Sequence, residues 1–157
     1  MSTTPVAVRP GATSAASAGL IDARGPQFGA AVTTGILAVV LLTAPHPVGL
    51  ALLGAQAVCF AVGAFFGVQR TPHAWLFRTV VRPRLGAPTA FEEQAPPRFA
   101  QAVGLVFAVV ALSAYGIGAT LLGQIAVGLA LTAALLNAAF AFCLGCELFL
   151  LARRVTA

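Results

Sequence analysis

The chain contains no lysine, four acidic residues, two histidines, three cysteines and a single tryptophan among 157 residues. Each scarcity excludes something. Only 8% of the residues are charged, against about 25% in a typical soluble domain, so there is too little charge to cover a water-exposed surface. Three cysteines, an odd number and all within apolar runs, do not form an extracellular disulfide framework. His46 and His73 lie far apart and show no ligand spacing, and Cys59 and Glu147 are the remaining donors that could join Cys143 and Cys146, so no metal site is expected. There is no P-loop, no GxGxxG and no Ser-His-Asp arrangement, so no cofactor is expected and the balance is against an enzyme. The apolar runs hold almost no ionisable group and no internal proline that would signal an unwound transport segment.

What is abundant is apolar. Hydrophobic residues make up 59% of the chain and its mean hydropathy is +0.95. These values describe an all-α polytopic membrane protein. Four spans are expected, at about 28–43, 48–68, 99–118 and 125–151, forming one membrane domain over 21–152 behind a disordered polar tail at 1–20. The first span could be read as a signal peptide cut after Ala44, but the polar leader is long and Pro45 would follow the cut, which favours an uncleaved helix. Ala44-Pro45-His46-Pro47 makes the first turn, since two prolines stop a continuing helix. The second span carries Cys59 and ends in Gly63-Ala64-Phe65-Phe66-Gly67, a small-residue spacing suited to close helix packing.

The one long connection, 69–98, contains an amphipathic stretch. Thr71-Pro72 reads as a helix start and Pro83 as its end, giving a helix at about 72–82. Leu76, Phe77, Val80 and Val81 share one side, Arg78 and Arg82 the other, and Trp75 sits at the border. This pattern is that of a helix lying in the lipid headgroup region, with Trp75, Arg78 and Arg82 as membrane-surface residues. Packing across the bundle end would use the same pattern. All nine arginines (9, 24, 70, 78, 82, 84, 98, 153 and 154) fall on the side that holds both termini and this connection. The opposite turns carry no charge, so the positive-inside rule places the arginine side in the cytoplasm of a plasma-membrane protein. Arginines that flank spans in this way argue for topology and against nucleic acid as a partner.

Chemistry concentrates in the last apolar run, where Asn137 precedes Cys143-Leu144-Gly145-Cys146-Glu147. On one unbroken helix Cys143, Cys146 and Glu147 form a stripe, opposite a small-residue face of Ala130, Ala134, Ala138, Ala141 and Gly145. Cysteines at i and i+3 have Cα atoms about 5 Å apart, within disulfide range. Near a helix carboxyl terminus and beside Glu147, thiolate would be disfavoured. The plain alternative is cysteine as a small apolar core residue. Asn137 is expected to bond a neighbouring helix at mid-membrane, and Glu147 to pair with Arg154. The second helix is expected to set Gly63 and Gly67 against Ala134, Ala138 and Ala141, leaving Cys59 an ordinary core residue.

Four motifs together resemble a known family. They are Ile21-Asp22-Ala23-Arg24-Gly25-Pro26-Gln27-Phe28, Arg82-Pro83-Arg84-Leu85-Gly86, Pro97-Arg98-Phe99-Ala100-Gln101, and Leu136-Asn137 through Cys143-Leu144-Gly145-Cys146-Glu147-Leu148. Over about residues 20–152 the chain resembles the bacterial, largely actinobacterial, membrane family catalogued as domain of unknown function 4395. The resemblance implies a link to thiol or sulfur metabolism, with a soluble thioredoxin-like or sulfurtransferase partner, and carries no catalytic assignment. Three functions stay open. One is a membrane-bound thiol or sulfur-handling protein; another is a non-catalytic anchor or assembly partner presenting the 69–98 loop, alone or as a homo-oligomer. The third is a small transporter.

Overall fold

A computed structural model describes residues 19–86, 88 and 90–156, so nearly all of the expected 1–20 tail lies outside the described residues. Strand β1 (Leu20–Asp22) leads into helix α1 (Arg24–Thr43), and α2 (Pro47–Phe66) returns. A 3-10 turn (Val68–Arg70) precedes α3 (Pro72–Leu76), a π-turn (Phe77–Val81) and α4 (Arg82–Leu85). Strand β2 (Phe91–Glu93) then leads into α5 (Ala95–Gly116), α6 (Thr120–Phe140) and α7 (Leu144–Thr156).

Helix starts follow local chemistry. His46 caps α2, its Nδ1 accepting the Val48 N–H at 3.4 Å, and Pro47 follows where no donor is needed. Thr71 caps α3 in the same way, its Oγ1 accepting the Ala74 N–H at 3.2 Å. Helices α1, α2, α5 and α6 are long and apolar enough to cross a membrane. The first begins at Arg24, four residues before the expected edge, because Asp22 accepts the Arg24 backbone N–H and its side chain at 3.1 Å each.

The four long helices form an up-down ring in which α1 touches α2 and α6, and α5 touches α2 and α6. Leu37, Val40, Leu53, Phe60, Ala108, Ala111 and Val127 fill its centre. Close approach is made at glycines: a Cβ on Gly104 would meet the Phe60 ring at 2.9 Å, and one on Gly123 the Tyr115 ring at 2.7 Å. The glycine face of α2 therefore does not meet the alanines of α6. Phe60 and Gly63 of α2 meet Gly104 and Gln101 of α5 instead. An aromatic ring in a glycine notch buries more surface than two flat small faces, and it sets α2 across the ring from α6. Between α1 and α2, fully buried Gln56 donates to Thr33 Oγ1 at 3.3 Å.

At the arginine-bearing end, β1 and β2 pair antiparallel, with Leu20 opposite Glu93 and Asp22 opposite Phe91. Arg98 closes α2, donating to the Ala64 and Phe65 carbonyls at 3.1 and 3.2 Å. The connecting helix does not stop at Pro83. The π-turn widens the backbone ahead of it, so the ring avoids the carbonyl it would otherwise strike, and the helical run continues to Leu85. Phe77 turns inward onto Phe28, with ring centroids 5.7 Å apart, while Trp75, Arg78 and Arg82 are exposed.

The largest departure concerns the last span, expected as one helix over 125–151. Helix α6 begins at Thr120 and ends at Phe140, because Ala141 adopts a left-handed conformation with φ 53°. Its N–H donates to the Asn137 carbonyl at 3.1 Å, closing the helix, and a separate α7 follows.

Candidate functional site: a cysteine pair at a helix start

The break at Ala141 changes the chemistry of the CxxC. Cys143 stands immediately before α7, and its carbonyl accepts the first intrahelical bond, from the Glu147 N–H at 3.0 Å. Its sulfur accepts the Cys146 N–H at 3.3 Å. Cys143 is thus the amino-terminal cap of α7, with sulfur in the place that a serine or aspartate oxygen usually takes. Cys143 and Cys146 are joined as a disulfide with Cα atoms 5.2 Å apart, and both are half-buried.

This overturns the expectation that the pair lies near a helix carboxyl terminus. At a helix start the unpaired N–H groups and the positive end of the macrodipole favour an anion, and a thiolate at Cys143 gains from both. Glu147 lies in the first turn of α7. The arrangement suits a nucleophilic Cys143 and a resolving Cys146.

Helix α7 is held on α5. Gly145 permits the approach, because a Cβ there would meet the Ala100 Cα and Cβ at 2.6 Å. Phe149 packs on Phe99 at 5.7 Å between ring centroids, and Arg153 lies 5.9 Å over the Phe149 ring. Arg153 also pairs with Glu93 at 3.9 Å, in an exposed contact that contributes little. Gln27 of α1 donates to the Ala138 carbonyl at 3.2 Å, tying the end of α6 to the first turn of α1.

Cys59 is a separate, free thiol on α2. Asn137 sits in the last turn of α6, and its part in the site is the carbonyl that receives the Ala141 N–H. Ion pairs among the described residues are Arg24–Asp22 and Arg153–Glu93; the expected Glu147–Arg154 pair is not one of them. The described residues contain no cluster of His, Cys, Asp or Glu able to hold a metal ion.

Three titratable groups at this end are perturbed. Burial pushes the Asp22 carboxyl up, but hydrogen bonds from Arg24 and the charges of Arg24 and Arg82 together outweigh it, so Asp22 lies below its ordinary value. Burial raises Glu92 and lowers His73. Sequence reasoning missed Ala141 and the partners Gln27 and Ala100. Ala138-Ala139-Phe140-Ala141-Phe142 has no glycine, proline or asparagine to announce a helix end, and cysteine is not an expected cap.

A model of the family described as Domain of unknown function (DUF4395) matches residues 21–154. No curated protein and no solved structure matches the chain.

Proposed function

Since the chain belongs to the DUF4395 family, whose description names no activity, we propose from the site itself that it is a membrane-embedded thiol–disulfide exchange protein. The cysteine pair works on the cytoplasmic side. The observation that carries this reading is Cys143 capping α7 while disulfide-bonded to Cys146. In one direction the Cys143 thiolate attacks a sulfur of a partner disulfide. That partner bond breaks and its leaving sulfur departs as a thiolate, which takes up a proton. Cys146 then gives up its proton and attacks the Cys143 sulfur of the mixed disulfide. The intramolecular bond forms, the partner leaves as a dithiol, and two electrons have passed to it. The reverse sequence oxidises the partner.

A soluble cytoplasmic thioredoxin-like or sulfurtransferase protein fits as the exchange partner, because the pair lies at the end of the bundle that gathers the arginines. Arginine placement supports a cytoplasmic site and cytoplasmic termini in the plasma membrane. Exposure of Trp75, Arg78 and Arg82 on the 72–85 helical run supports its lying on the membrane surface.

The test is acid quenching of cells followed by alkylation of free thiols. Cys146→Ser should accumulate a mixed disulfide with a soluble protein through Cys143, and Cys143→Ser should accumulate far less. A pair that keeps one redox state under every growth condition, with no mixed disulfide in either variant, would refute the proposal. Loss of function on deleting 73–86 alongside a functional double-serine variant would favour an anchoring role.

A further inference from the structure

Helix α7 has three faces, and among the described residues the one toward α5 is the occupied one. Residues advance 100° each around a helix. Gly145 and Phe149 lie on the α5 side. Leu144, Leu148, Leu151 and Val155 form a second stripe and are 38, 52, 58 and 80% exposed. Cys146 points about 170° from the middle of that stripe, and Arg154 about 90° from it. Leu150, on the Cys146 side and 41% exposed, is the one apolar residue outside this partition.

An apolar stripe of this kind is covered by something. Two observations identify the cover as the bilayer. The stripe follows directly in the chain on the exposed aromatics at the end of α6, Phe140 and Phe142, which are 75 and 45% exposed. Beside its far end, about 90° from the stripe, stands Arg154, a cation placed where an anionic headgroup layer would meet it, while Arg153 is engaged with Phe149 and Glu93. The geometry points to α7 as a lipid-seated helix whose leucine stripe contacts the leaflet at the arginine-bearing end, while its cysteines face away from lipid. Resting on the exchange function proposed above, this names the class of partner: dithiols and disulfides that arrive from water. Lipid-soluble electron carriers would meet the leucines and not the sulfurs.

The test places single tryptophans on α7 of the full chain in a Trp75→Phe background, reconstituted in vesicles of phosphatidylglycerol and brominated phosphatidylcholine. Leu148→Trp and Leu151→Trp should lose fluorescence to the brominated lipid and resist acrylamide. Glu147→Trp and Arg154→Trp should show the opposite preference. Val155→Trp repeats the lipid measurement at a position with little packing, should the leucine variants fail to fold. Acrylamide quenching of all sites alike would overturn the seating. Protection of the stripe from both quenchers would also overturn it, identifying a second copy of the chain as the cover. Lipid contact is read without any thiol chemistry, so failure here and failure of the exchange reaction remain distinct results.

Discussion

Replacing Gly145 by alanine tests whether the α7–α5 contact holds the cysteine pair in place. The added methyl would sit 2.6 Å from both the Cα and the Cβ of Ala100. Since one of those atoms is backbone, no side-chain rotation relieves the overlap, and α7 must move away. Overpacking of this kind costs about 1–3 kcal/mol. The gain in helix propensity from glycine to alanine returns at most about 1 kcal/mol. A net loss of up to about 2 kcal/mol raises the population with α7 undocked by as much as a factor of roughly 30. Displacement would also part the Phe149 and Phe99 rings, now 5.7 Å apart, a contact of about 0.5–1.5 kcal/mol. Hydrogen–deuterium exchange of α7 amides in detergent measures the undocking directly, and should accelerate across 147–153 while α1 and α2 stay protected. Adding Ala100→Gly removes one of the two clashing atoms and should recover part of the protection. Unchanged exchange in Gly145→Ala would refute the claim that this contact seats α7.

The opposite exchange at Ala141 should have the opposite sign. Ala141→Gly relieves a left-handed alanine, a strain of about 1–2 kcal/mol, offset by about 0.4–1 kcal/mol of unfolded-chain entropy; thermal denaturation in detergent should show a small gain. Arg98→Ala leaves the exposed Ala64 and Phe65 carbonyls to water and should cost about 0.5–1.5 kcal/mol; faster exchange at the end of α2 is the readout, and Arg98→Lys should restore only part. His73, lowered from 6.5 by burial, binds protons more readily when unfolded, so its contribution is present above about pH 6.5 and lost as pH falls toward the folded value. A Tm titration should therefore decline below neutrality more steeply in the native protein than in His73→Gln.

Much of the molecule follows from its composition. Four apolar runs with charge only at their ends have one stable solution in a bilayer, because a helix satisfies its own backbone where no water can. The prolines at 47 and 72 mark helix starts through a local rule, and the family motifs from Ile21 to Leu148 are linear patterns that need no fold to be seen. What depends on neighbours could not be read this way. Phe60 settling against Gly104 fixed the order of helices around the ring, and that choice depends on shapes meeting across the bundle. The decisive case is Ala141. No side chain there demands a left-handed turn, and an isolated 125–151 peptide has every reason to continue as one helix. The break exists because Gln27 holds the end of α6 while Ala100 receives Gly145 of α7. Two tertiary contacts thus outweigh the local cost of one strained alanine, moving Cys143 from the negative end of one helix to the positive end of another.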